Sequence, residues 1–146
     1  MWYNKGVKVR TEQEMLECGR KLAEKLDFGR DFAAVIEMVG DVGTGKTTLT
    51  RGLAEGLGMK ESVTSPSFTI SKAYALPDGG RLVHYDFYRL SDPGLMMEDL
   101  KENLTEPMNV IVVEWGESVT DLLPKKRTVV RVNYNDDGTR EVEIDG

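Results

Sequence analysis

The string Gly40-Asp41-Val42-Gly43-Thr44-Gly45-Lys46-Thr47 satisfies GxxxxGK[ST], and it stands between an apolar run, residues 32–39, and a helical pattern that begins at Lys46. Such a loop requires a strand before it and a helix after it, because its consecutive backbone N–H groups must turn toward one anionic group at a helix start. Lys46 then supplies a mobile cation for β and γ phosphates, and the Thr47 hydroxyl is offered to magnesium. Residues Asp41, Val42, Gly43, Thr44, Gly45, Lys46, Thr47 and Thr48 are therefore read as a binding loop for a nucleoside triphosphate. A glycine-rich turn without a ligand would leave the lysine unexplained.

The flanking residues extend this nucleus into an α/β pattern. Thr11-Glu12-Gln13-Glu14 reads as a capping box, followed by Met15, Leu16, Gly19, Leu22, Ala23 and Leu26 at helical spacing. The run 32–39 is apolar at nearly every position, as in a parallel strand covered on both faces. Leu49, Leu53 and Leu57 recur four apart after the loop, where Gly52 and Gly56 are expected to allow close packing on the sheet and Gly58 to end the helix. Residues 68–74 and 81–87 form a predicted hairpin around Pro77-Asp78-Gly79-Gly80. Ser91-Asp92-Pro93 starts a predicted helix that runs to about Asn103. A buried strand over 110–113 leads into Glu114-Trp115-Gly116, a short helix over 117–123 stops at Pro124, and 128–134 with 139–144 make a closing hairpin. The pattern predicts one domain over residues 1–146, a three-layer α/β/α P-loop NTPase-like sandwich with a mixed, mostly parallel sheet.

Bulk properties remove several classes of function. The 25 acidic residues against 19 basic ones give a formal charge of −6, which argues against holding a nucleic-acid backbone directly and makes any RNA connection indirect. The short cluster Lys125-Lys126-Arg127 is expected to be a solvated loop. No apolar run approaches the roughly 20 residues of a spanning helix. The lone Cys18 permits no internal disulfide, and the first residues do not resemble a signal peptide, so a cytoplasmic location is expected.

A triphosphate site also needs an acid near the metal, usually at the carboxyl end of a neighbouring buried strand. Glu114 follows Val110-Ile111-Val112-Val113 in that form; holding Mg²⁺, orienting its water and polarising the attacking water are all open to it. Asp86, in His84-Tyr85-Asp86-Phe87-Tyr88-Arg89, is the second candidate, as a base or as a group acting on the metal through water; the competing role is a turn carboxylate paired with Arg89. His84 has no other histidine for a metal site and reads as structural. Trp115 suits stacking on a base or partner, or plain packing. ATP is favoured over GTP because no [NT]KxD string occurs. A small-molecule P-loop kinase is the alternative, but it calls for an arginine-rich lid, and the middle of the chain offers Arg81 and Arg89 alone.

Four strings in order, residues 40–48 as GDVGTGKTT, 65–70 as SPSFTI, 84–90 as HYDFYRL, and Glu114-Trp115, resemble the TsaE family over nearly the whole chain. The resemblance implies a cytosolic ATPase of tRNA threonylcarbamoyladenosine biosynthesis that works on a TsaB–TsaD complex and does not itself transfer the threonylcarbamoyl group to tRNA. It also implies Lys46 on the phosphates, Thr47 and Glu114 on Mg²⁺, Asp86 near the attacking water, and Trp115 and Arg140 beside the nucleotide. Ser67 stands where the family has threonine, and residues 94–100 match poorly.

Overall fold

The structure, a computed structural model, describes residues 6–26, 28, 31–41, 43–64, 71–88 and 94–146. Strands β1 (Val7–Val9), β2 (Ala34–Val39), β3 (Ser71–Ala75), β4 (Arg81–Asp86), β5 (Val110–Glu114), β6 (Thr128–Tyr134) and β7 (Arg140–Asp145) form one sheet in the order β1-β7-β6-β2-β5-β4-β3. The central strands β6, β2, β5 and β4 run parallel, and each edge is closed by antiparallel pairing, β3 on β4 and β7 on both β6 and β1. The sheet is thus mixed as expected, with its parallel part at the centre.

Alternation along the central strands feeds two separate cores. Ile36, Met38, Leu82, Val110 and Val112 face helices α1 (Glu12–Lys25) and α2 (Lys46–Gly56), from which Leu22, Leu49 and Leu53 are fully buried. Val35, Val83, Tyr85, Ile111 and Val113 face the other way, onto Leu100 of helix α3 (Leu95–Leu104) and Val119 of a 3-10 helix, Gly116–Leu122. This is the three-layer arrangement.

The capping box at α1 forms as read: Glu14 N donates to Thr11 Oγ1 at 3.1 Å, and Glu14 Oε2 accepts from Arg10 N at 3.2 Å. Phe32, counted in the strand run, precedes the ladder and is exposed. The described part of the first hairpin strand runs on to Ala75, and the last short helix is 3-10 and begins one residue earlier, at Gly116.

Gly52 does not serve helix–sheet packing. A Cβ there would stand 2.1 Å from the Leu16 carbonyl oxygen, and one at Gly19 would stand 2.1 Å from that of Leu49, so these glycines bring α1 and α2 into backbone contact. The Leu49 and Leu53 side chains, on the neighbouring face, do the packing on the sheet. Residues 65–70, Arg89-Leu90 and the Ser91-Asp92-Pro93 helix start lie outside the described residues.

Candidate functional site

Register brings three strand ends level. Met38 of β2 and Asp86 of β4 are both paired with Glu114 of β5, so the phosphate-loop strand and the two candidate carboxylates terminate side by side. Immediately beyond, Gly45 caps α2 with φ 109°, a left-handed conformation that glycine adopts without a Cβ penalty. The helix has no side-chain cap bond and no acid in its first turn, leaving the positive end of its dipole uncompensated by side chains. Thr44 tightens the loop from below, its buried hydroxyl donating to the Asp41 carbonyl at 2.9 Å. Asp41 itself is exposed, and Val42 lies outside the described residues.

A groove of about 460 Å³ runs over this junction, lined by Gly43, Gly45, Lys46, Thr47, Thr48 and Arg140, and closed on the far wall by Asp86, Tyr88, Glu114 and Trp115. All of these except Tyr88 are residues expected from the sequence. At Gly45, Thr48 and Arg140 the groove continues into a second hollow of about 320 Å³, walled by Thr11, Glu12 and Met15 at the start of α1. Sequence reading missed that wall, since nothing near Thr11 signals which distant loop it meets.

Lys46 is buried to 5% exposure yet carries its ammonium into the groove. Its Nζ donates to the Gly40 carbonyl, lies 3.5 Å from Glu114 Oε1 and sits 4.6 Å from the Trp115 ring centroid. Trp115 holds a left-handed backbone at φ 56°, a costly conformation for a residue with a Cβ. In return, its indole reaches both Lys46 and the Tyr88 ring, 4.8 Å between centroids. Asp86 Oδ1 accepts from Tyr88 N at 2.9 Å, which orients the carboxylate at the rim.

Glu114 is 4% exposed and has a second partner behind it, His84 Nε2, which contacts Oε2. Burial pushes the Glu114 carboxyl upward, but contact with His84 and the Lys46 ammonium outweigh it and leave the acid below its ordinary value. His84, structural by sequence, touches the candidate metal acid, a contact that depends on the β4–β5 register and leaves no local sequence signal. On the other side, Arg140 stacks over Tyr134, 5.0 Å from guanidinium carbon to ring centroid, while the Tyr134 hydroxyl donates to the Gly43 carbonyl. Arg140 Nε is buried with no hydrogen-bond partner among the described residues. Arg127 is not a free solvated charge as expected; it pairs with Glu37 at 2.9 Å, away from the groove.

No group of three or more His, Cys, Asp or Glu among the described residues forms a ready metal cage. The oxygen donors Thr47 and Glu114 in one groove fit a hard ion such as Mg²⁺, which takes few protein ligands and fills its octahedron with water and phosphate oxygens. No helix among the described residues is long and apolar enough to cross a membrane.

Comparison with known proteins gives the family. A family model described as "Threonylcarbamoyl adenosine biosynthesis protein TsaE" matches residues 9–142. The tRNA threonylcarbamoyladenosine biosynthesis protein TsaE of Streptomyces coelicolor is 46% identical over 120 residues, 82% of this chain and 78% of that protein. Its counterpart in Haemophilus influenzae is 35% identical over 138 residues, 91% of this chain and 84% of that protein. The crystal structure of Bacillus subtilis YdiB superposes with a TM-score of 0.69 at 29% identity, covering 96% of this chain and 83% of that one. Family model, relatives and solved structure all span the phosphate loop, both strand-end carboxylates and the Glu114-Trp115 corner, and the chain belongs to the TsaE family.

Proposed function

We propose that this protein binds and hydrolyses ATP as a subunit required for threonylcarbamoylation of the tRNA adenosine beside the anticodon. It works in the cytoplasm as one P-loop ATPase domain, acting on a TsaB–TsaD complex that performs the transfer and contacts the tRNA. The observation that carries the reading is the convergence of an uncapped helix start, Lys46 and Thr47 with Asp86 and Glu114 on strand ends aligned by register. Fold membership alone would not specify a chemistry; a cation, a hydroxyl and two carboxylates around one anion-binding helix end suit phosphoryl transfer to water.

In this reading the loop amides from Asp41 to Thr48 hold the phosphates, and Lys46 exchanges its Glu114 contact for a phosphate oxygen. Thr47 and Glu114 would hold Mg²⁺, which would supply charge neutralisation at the phosphates. Asp86, oriented by its bond from Tyr88 N, positions or deprotonates the attacking water. The base occupies the hollow between Met15 and Arg140, where the buried, unpartnered Arg140 Nε is available as a donor. Trp115 forms the wall opposite, with Lys46 above its ring. The kinase alternative gains no support: Arg81, one of its lid candidates, is held by Asn103 at 2.6 Å beside Asn109, at the opposite end of β4 from the phosphate loop.

Among the described residues Lys46 and Arg140 are the cations lining the groove, and in this reading a partner adds to the charge stabilisation they supply. Hydrolysis by the isolated chain is accordingly slow, well below the ~10 s⁻¹ of a typical enzyme. Calorimetry with Mg·ATP and phosphate release with and without TsaB–TsaD test the reading, using Lys46→Ala as control. Binding lost in the variant and turnover raised by the partners are expected. No heat with Mg·ATP, alone or with partners, refutes it.

A further inference from the structure

His84 lies on β4 two residues before Asp86, and register sets it opposite Val112, one alternation short of Glu114. Both His84 and Glu114 therefore face the α1–α2 side of the sheet, as diagonal neighbours within reach of each other. His84 is fully buried among apolar neighbours on that face, Leu82, Val110 and Val112. An imidazole there forfeits hydration that an aliphatic residue would not need. Its described compensation is the contact of Nε2 with Glu114 Oε2, while Nδ1 has no partner among the described residues.

The two oxygens of Glu114 are held unequally. Oε2 contacts a side chain with no exposure, whereas Oε1 stands 3.5 Å from Lys46 Nζ. That separation is longer than the ~2.7–2.9 Å of a charge-assisted bond. Lys46 is divided among Gly40, Trp115 and Glu114, so Oε1 is the oxygen open to a different partner. The terminal torsion of a glutamate is broad and nearly two-fold, and one donor behind the carboxylate is enough to select an orientation.

We propose that His84 is a positioning residue: by gripping Glu114 Oε2 from behind, it aims Oε1 into the groove beside Thr47 and Asp86, where the metal and its water belong. This rests on the Mg·ATP reading above. Outer partners that orient a metal-binding side chain change metal affinity or activity by about 10–100-fold when removed.

The test uses the full chain, with TsaB–TsaD present for turnover. His84→Leu fills the space without a donor, and His84→Gln places an amide N–H near the position of Nε2. Calorimetry measures ADP affinity without metal, then the gain in affinity on adding Mg²⁺; phosphate release gives kcat, KM and the half-saturating Mg²⁺. For His84→Leu, metal-free ADP affinity within about threefold of wild type is expected, together with loss of most of the Mg²⁺-dependent gain and a kcat lower by about 10–100-fold. KM for Mg·ATP rises in step with the lost Mg²⁺-dependent affinity, and His84→Gln recovers most of these changes. Should the leucine variant not fold, His84→Met takes its place. A donorless variant that keeps the Mg²⁺ response and kcat within twofold overturns the assignment, as does a glutamine variant that is no better than leucine. Failure of the wild type to bind ADP or release phosphate overturns the nucleotide reading and this assignment together; failure confined to the variants overturns the assignment alone.

Discussion

Replacing Gly52 by alanine is the most direct test of how the site is held together. The added Cβ would stand 2.1 Å from Leu16 O, 2.8 Å from Leu16 C and 2.9 Å from Leu16 Cα, against ordinary contact beginning at 3.4 Å. Those atoms are backbone, so no side-chain rotation relieves them, and α1 must retreat from α2 by about 1 Å. Overpacking of this kind costs roughly 1–3 kcal/mol and occasionally more. Alanine in place of a helical glycine returns about 1 kcal/mol of propensity, measured where nothing clashes. Because the clashing atoms are backbone, the upper part of that range applies, about 2–3 kcal/mol, and the net loss is about 1–2 kcal/mol. For a chain of this size that lowers the unfolding midpoint by roughly 2–8 °C. Because α1 carries Thr11, Glu12 and Met15 while α2 carries Lys46 to Thr48, the same displacement opens the hollow beside Arg140. Nucleotide affinity is expected to fall several-fold along with stability. Denaturant unfolding and ADP calorimetry on one preparation supply both numbers. A Gly52→Ala protein with an unchanged or higher midpoint would refute backbone contact between the helices as the device that holds α1 against the phosphate loop.

Asp86→Asn should leave Mg·ATP binding within about threefold while cutting phosphate release roughly 100- to 10,000-fold, the range for removing a general base; equal loss of binding and turnover would place Asp86 in binding instead. Glu114 gives a pH signature. Its folded value is depressed, so its contribution to stability is present above the ordinary 4.5 and is lost as pH falls through the lower folded value. Unfolding curves from pH 7 downward should show this acid loss in the wild type and a flatter profile in Glu114→Gln. Behind the sheet, Tyr85 donates to Asp99 at 2.7 Å and accepts from Asn103 at 2.8 Å. Tyr85→Phe removes both bonds and leaves Asn103 Nδ2 and Asp99 Oδ2 their mutual 3.3 Å contact, and should cost about 1 kcal/mol. Unchanged chemical denaturation would show that the network adds nothing to stability.

Local chemistry made much of this molecule legible. The loop from Gly40 to Thr47, the Thr11 box and the run into Glu114 each depend on residues a few positions apart, and each forms where the pattern placed it. What escaped depends on distance along the chain. β1 is three residues long and pairs with β7 at Val142, far too short for alternation to announce it. Gly52 looked like a concession to the sheet because its real neighbour, Leu16, belongs to another helix. His84 looked like core because its partner is 30 positions away. The wall at Met15 is invisible for the same reason: only the closed structure sets α1 beside Gly45. The boundary error at Phe32 is milder, since an apolar run marks what is available for burial and not where the ladder begins.

Level strand tips make counting a condition of chemistry. Adding or removing one residue within 110–114 would turn Val113 toward the phosphates and Glu114 toward α3, with the hydrophobicity of β5 almost unaltered. Such a molecule would keep a plausible interior and lose its metal acid. Connections such as the turn at Leu76 to Gly80 can lengthen without that penalty. Indels in the genes of this chain's descendants are therefore tolerable in such turns and silencing within the central strands.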